Sequence, residues 1–483
     1  MRNLKLVSKI IGILLYFETV MMLLCGIISV CYGEDDMLPF LISFIVTAIV
    51  GFMFMRYGRD ADDYLTRRDS YLVVTASWLV FSLAGTMPYL LSGYIDNFTD
   101  AFFEAISCFT TTGISVSDLQ KSHGLIFWQS LTQWIGGLGI VFFTIAIIPS
   151  FTDGDIKIFA AEATGISKSR VHPRITTNAR WIWATYLSVT AACSICLWLA
   201  GMDVFDSINY AMVTTASGGN TPYGGGIAMF NSATIEYIEI VFMFLAGINF
   251  TLLYTLLFRF KIKTFFKDNE IRFFVGVLIT ATIIVFIMLL TKRGWDVEHA
   301  FRASLFEVTS IISSTGLCSE DTGTWPAFTW FILAFCMIMG ACAGSTSGGI
   351  KSVRVLMLLK LARNEFKHIL HPNAILPARL NGHMMTRGNK ATLTAFLTVY
   401  IIIVMISSAV FIACDIPMQK SFTIVISCLS NCGPAFGQSI DGMLAWSALP
   451  DALKWFCSIL MLVGRLEIFS VLIIFTKAFW KDN

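Results

Sequence analysis

The chain has 483 residues, 56% of them apolar and only 14% charged, with a formal net charge of +2. Soluble domains carry roughly 25% charged residues, so a string of soluble domains is excluded and a chain buried in a bilayer is expected. The near-neutral balance gives no sign of nucleic-acid binding. Of the twelve cysteines, Cys193 and Cys196 have the spacing of a redox or metal pair. They lie mid-helix among Ala, Ile and Leu with no further ligand nearby, so they read as small buried hydrophobes.

Residues 10–30 form a first span. Arg2, Lys5 and Lys9 precede it as they would in a signal peptide, but the apolar run is too long and no small-residue cleavage site follows before Glu34. A second span covers 38–55, and both approach the roughly 20 residues needed to cross a membrane. Together they make a leading hairpin, 1–69.

Four units follow, 70–180, 181–269, 270–389 and 390–483, each with a span, a half-length amphipathic helix, a glycine turn and a returning span. In the first, 71–91 crosses, 100–109 is the half-helix, Thr110-Thr111-Thr112-Gly113 is the turn and 125–149 returns. The second uses 181–201, 204–213, Thr215-Ala216-Ser217-Gly218 and 235–258. The third uses 273–290, 298–311, Ser313-Ser314-Thr315-Gly316 and a long run from Trp330. The fourth uses 391–413, 418–429, Ser430-Asn431-Cys432-Gly433 and 453–475. The turn glycines are 105, 98 and 117 residues apart, and a hydroxyl stands three positions before each. A period of this length marks a repeat architecture.

The half-helices are too short to span, so they re-enter, and non-helical backbone at membrane depth is tolerated where it is buried in protein or lines a watery path. Of the 34 Lys and Arg, 27 fall on the side that holds the N-terminus if that end is cytosolic. Both termini are therefore expected inside, with all four turns facing outward as one ring. Such a ring suits a dehydrated cation. Backbone carbonyls replace its water, glycine permits the dihedrals that align them, and half-helix C-termini favour positive charge. The neighbouring hydroxyls either add oxygen ligands or hold the backbone.

The third unit's returning run is interrupted. Gly340, Gly344 and Gly348 recur at four-residue spacing, and Ser345, Thr346, Ser347 and Gly349 lead to Lys351. Small residues at this spacing can pack helices, but this composition is a poor continuous helix, and a mobile loop under the ring is the preferred reading. A serine nucleophile here would need a base within reach, and all six histidines lie outside the apolar spans. Arg465 stands in the middle of the last span, where charge is expensive and usually functional. It is expected to project into the pore below the ring as an electrostatic barrier. Glu467 is two residues away and would not face it on a helix. No phosphate-binding G-x-x-x-x-G-K-[ST] loop is present, so neither a built-in ATPase nor an enzyme is expected.

Essentially the whole chain resembles the superfamily of bacterial TrkH and KtrB and plant HKT potassium transporters. The resemblance is carried by Phe109–Gly113, Ile311–Gly316, Gly344–Lys351 and Gly464–Ile468, and the extra leading hairpin resembles the TrkH branch. It implies an all-α polytopic membrane protein of about ten transmembrane helices, with four re-entrant pore-helix and filter loops in one pseudo-fourfold pore. It further implies a bacterial inner-membrane K⁺ transporter that also passes Rb⁺, with K⁺ at the filter and no covalently bound cofactor. A gate at residues 344–349, Lys351 and Arg465, a homodimer, and a cytosolic TrkA-type nucleotide-binding regulatory subunit are implied as well. A Na⁺ or K⁺/Na⁺ transporter on the same fold is the near alternative. The chain departs from the family pattern at 216–221, where a Thr before the first glycine and a Phe after the second are expected, and at Cys432.

Overall fold

A computed structural model describes residues 3–61, 66–116, 121–139, 175–224, 226–374, 376–434 and 446–481, and these are almost entirely helical. The second half of the first returning span and most of the basic segment 151–180 lie outside the described residues. The leading hairpin is Leu4–Cys31 and Met37–Tyr57, and its first helix packs on the first unit. Among the described residues six helices are long and apolar enough to cross a membrane, or eight if each of two bent pairs counts as one span. Two shorter helices, the mixed His123–Leu138 and the apolar Ala327–Met339, return the first and third units. Outer helices carry stripes for lipid. Ile279, Ile283 and Ile287, four apart on Asn269–Arg293, are each about half exposed.

The four half-helices are Phe98–Phe109, Val204–Ala216, Val297–Ile312 and Met418–Ser430. Asn97, Asp203 and Asp296 cap the first three, each side chain accepting from a first-turn amide, and the fourth starts directly after Pro417. In the first, residues 101–109 are all buried, as befits a helix at the centre of a bundle.

Two returning spans expected as single helices are broken. Ala233–Ala246 and Phe250–Leu257 meet at 111°, and Asp451–Arg465 and Ile468–Phe475 meet at 115°. At the first break the freed backbone receives the third unit's loop. Cys342 N–H donates to the Gly247 carbonyl (3.1 Å) and Phe250 N–H to that of Gly344 (3.0 Å). Asn249 Nδ2 donates to the Ala343 carbonyl at 2.6 Å. At the second break Glu467 is left-handed (φ 61°) and pairs with Arg354 at 2.7 Å, not with Arg465. The third span is interrupted over 340–351, as expected, before Ser352–Leu370.

Candidate ion-conduction site

Every pore helix ends in the same backbone turn. Amides of Thr112, Gly218, Thr315 and Cys432 donate to the carbonyls five residues earlier, at 2.9, 2.9, 2.8 and 3.2 Å, a Schellman-type closure. The residue before each is left-handed: Thr111, Ser217, Ser314 and Asn431, with φ between 49° and 57°. The residue after each is a glycine, Gly113, Gly219, Gly316 or Gly433, with φ between 74° and 86°. The second ring glycine is therefore Gly219 rather than the Gly218 that the sequence register selected. Gly218 takes the place of Thr112, Thr315 and Cys432, and Thr215 and Ala216 are the last residues of the pore helix. The double glycine, with Thr215 and Ser217 imitating the hydroxyl pattern, hid this one-residue shift.

These turns close a ring. A Cβ added to Gly113 would collide with the Gly218 carbonyl oxygen, one on Gly219 with that of Thr315, one on Gly316 with that of Cys432, and one on Gly433 with that of Thr112. Loops one, two, three and four thus touch in chain order and back to one, with four carbonyls at the seams. Glycine is required twice over, by the left-handed dihedral and by this approach. Each non-glycine left-handed residue costs about 1–2 kcal/mol, so four such strained turns imply strong packing around them.

The hydroxyls hold the turns. Thr110 Oγ1 donates to the Ile106 carbonyl at 2.7 Å and meets Thr112 Oγ1 at 2.8 Å. Ser313 Oγ meets Thr315 Oγ1 at 2.7 Å, and Thr215 Oγ1 donates to the Ala211 carbonyl at 2.8 Å. Ser430 meets the Tyr400 hydroxyl at 3.3 Å. Asn431 Nδ2 donates to Thr112 Oγ1 at 3.0 Å, joining the fourth loop to the first.

The interrupted segment 340–351 lies directly against the ring. Thr346 Oγ1 meets Ser217 Oγ at 2.8 Å, and Gly348 N–H donates to Ser314 Oγ at 3.1 Å. Ser345 Oγ donates to the Cys342 carbonyl at 2.6 Å, and Gly344, Gly349 and Lys351 have positive φ. Lys351 is buried, and its ammonium donates to the Ser347 carbonyl, with Ser347 Oγ at 3.4 Å. A serine–lysine pair is thus present, but the adjoining cavity, between Trp78, Gly137, Lys351 and Arg465, holds about 80 Å³. Sites for organic ligands run to about 300–1,000 Å³. Arg465 ends its helix. It donates to the Thr346 carbonyl at 2.7 Å and to those of Gly136 and Gly137 at 2.6 and 2.5 Å. The guanidinium so ties the loop to the partially negative C-terminus of His123–Leu138.

Sequence reasoning missed two carboxylates. Glu104 and Glu307 are fully buried, nine residues before Gly113 and Gly316. Each accepts a backbone N–H three residues past its ring glycine, from Val116 at 3.0 Å and Ser319 at 2.9 Å. Their equal offset in two repeats was the available signal.

Four re-entrant helices, a closed glycine–carbonyl ring and a loop packed against it define a pseudo-fourfold membrane pore. Residues 38–483 match the model of the TrkH family, described as "Cation transport protein", and the chain belongs to that family. It is 31% identical over 481 residues to the "Trk system potassium uptake protein TrkH" of Escherichia coli (strain K12), covering 99% of each chain. To the protein of the same name from Vibrio parahaemolyticus it is 32% identical over 485 residues, again covering 99% of each. Its structure superposes on the crystal structure of the potassium transporter TrkH from Vibrio parahaemolyticus with a TM-score of 0.90 at 31% identity, covering 100% of both chains.

Proposed function

We propose that this chain carries K⁺ into a bacterial cell through the ring of loop carbonyls, with Rb⁺ as a second permeant ion. One observation carries the reading: the four loops meet in cyclic order, each glycine against the next loop's carbonyl. Four re-entrant helices aim their partially negative ends at that ring, and oxygens so placed substitute for a cation's hydration shell. Residues 344–349, Lys351 and Arg465 form the gate. Buried Lys351 and half-buried Arg465 place two positive charges beside the ring and oppose ion passage until the loop moves.

The protein sits in the inner membrane with both termini cytosolic, in keeping with its Lys and Arg distribution. Uptake follows the ion gradient and the membrane potential, worth about 2.3 kcal/mol per charge for each 100 mV. It has no enzymatic step. It works as a homodimer under a cytosolic TrkA-type nucleotide-binding regulatory subunit, for which the basic segments 151–180, 259–272 and 351–390 offer docking surface. The relatives named as parts of a "Trk system" support a multi-component assembly.

Flux into proteoliposomes tests the reading, comparing K⁺, Rb⁺, Na⁺ and Li⁺ for wild type and Gly113→Ser. K⁺ and Rb⁺ should pass well ahead of Na⁺ and Li⁺, and the mutant should lose that preference. Equal passage of Na⁺ by wild type would reassign the chain as a sodium-permeable member of the fold.

A further inference from the structure

Asn220 follows the second ring glycine, at one of the positions where this chain departs from the family pattern, and it is buried with its N–H, carbonyl and Nδ2 all engaged. Its N–H donates to Gln133 Oε1 at 3.1 Å and its carbonyl accepts from Gln133 Nε2 at 3.0 Å. Its own Nδ2 donates to Glu104 Oε1 at 3.0 Å. Gln133 belongs to the first returning helix and Glu104 to the first pore helix.

Glu104 is in turn anchored on its own loop. Ser115 Oγ lies 3.0 Å from each carboxylate oxygen, and Val116 N–H donates to Oε2. Lys121 Nζ stands 3.9 Å from Oε1. One buried carboxylate therefore holds the outer leg of loop one and, through Asn220, the outer leg of loop two. The third repeat has only half of this arrangement. Glu307 accepts from its own loop at Ser319, while its Oε2 has no hydrogen-bond partner among the described residues.

We infer that Glu104 is a positioning residue for ion selection: through Asn220 it locks loop two to loop one and fixes the spacing of the Thr112 and Gly218 carbonyls. The inference rests on the reading of the ring as the conduction path. A charge-assisted bond at low dielectric is stiff and strong. Holding both loops outward keeps the ring from contracting around a cation smaller than K⁺. Glu104→Gln breaks the arrangement whichever way the amide turns, because both carboxylate oxygens face donors.

The test is Rb⁺ and Na⁺ uptake into proteoliposomes by wild type, Glu104→Gln, Asn220→Ala, the double variant Glu104→Gln/Asn220→Asp, and Gly113→Ser. Each single change at the bridge should lower the Rb⁺/Na⁺ ratio about tenfold, the effect of one charge-assisted hydrogen bond, by raising Na⁺ uptake while Rb⁺ uptake falls. The double variant reverses donor and acceptor across the same gap and should recover about half of the lost ratio on a logarithmic scale, which a merely structural role would not produce. If Glu104→Gln does not purify as a monodisperse protein, Asn220→Ala alone carries the decision. Wild-type ratios in the bridge variants, with the preference lost in Gly113→Ser, overturn the inference and leave the conduction reading standing. No Rb⁺ preference in wild type overturns that reading itself.

Discussion

Ser217 and Thr346 share a hydrogen bond of 2.8 Å across 129 positions of sequence. The first is the left-handed residue of ring loop two, and the second is at the centre of the third unit's interrupted segment. Ring and proposed gate therefore touch through side chains, and movement of one strains the other. Thr346→Val keeps the shape and removes the bond. The loop should leave the ring more readily and raise K⁺ flux about two- to tenfold, matching the roughly 0.5–1.5 kcal/mol of one hydrogen bond. Thr346→Ser should behave as wild type. Lower flux in a folded Thr346→Val protein would show that the bond supports conduction instead.

Arg465 holds the same loop from the opposite side, with three carbonyl oxygens as acceptors. Arg465→Ala removes both the tether and, on the proposed conduction path, a positive charge, so K⁺ flux should rise by about tenfold or more, each bond to a charged group contributing about 1.5–3 kcal/mol. Lysine keeps the charge but cannot span three acceptors, so Arg465→Lys should fall between. Stopped-flow or tracer uptake reads both. An alanine variant that folds and conducts no better than wild type would remove Arg465 from the gate.

The one-residue shift in loop two gives a sharp contrast. Alanine at Gly219 would adopt a left-handed dihedral, at about 1–2 kcal/mol, and press its Cβ on the backbone carbonyl of Thr315. Alanine at Gly218, where φ is ordinary, would press on the Gln133 side chain rather than on backbone, and would have to shift an amide that also holds Asn220. Gly219→Ala should cut K⁺ over Na⁺ selectivity at least about tenfold, and Gly218→Ala by less. A larger effect at Gly218 would restore the register read from sequence.

What the sequence revealed, and what it hid, follows from locality. Span, half-helix and glycine turn are local patterns, so the four repeats and the interruption at 340–351 could be read directly. The breaks at 247–249 and 466–467 could not, because their cause lies elsewhere in the chain: the first accepts the loop of another repeat, and the second turns Glu467 toward Arg354. Arg465 could be singled out as a charge in the middle of an apolar span, but its acceptors are carbonyls of Gly136, Gly137 and Thr346, which no spacing rule names. The Glu104–Asn220 bridge joins residues 116 positions apart. Asn220's departure from the expected pattern marked one end of it, and the equal offset of Glu104 and Glu307 from their ring glycines marked the other.

Glu34, in the turn of the leading hairpin, caps the first returning helix. His123 N–H donates to it at 3.0 Å, His123 Nδ1 lies at 2.8 Å, and the imidazole stacks on Tyr32 with centroids 3.9 Å apart. Partial burial opposes ionisation of Glu34, but the His123 side-chain and backbone hydrogen bonds outweigh it and hold the carboxyl below its ordinary range. A carboxyl held lower in the folded than in the unfolded protein adds stability above its unfolded value, about 4.3, and loses it as pH falls through the folded value. Glu34→Gln should therefore lower Tm in detergent by a few degrees near neutral pH, for a loss on the order of 1–2 kcal/mol. The gap to wild type should shrink only as the pH falls below the unfolded value, about 4.3, and on through the lower folded value, beneath which the wild-type carboxyl is also neutral. Thermal unfolding followed across that range measures it. A gap that stays constant with pH would mean that the contact between hairpin and helix depends on shape and stacking rather than on the charge of Glu34.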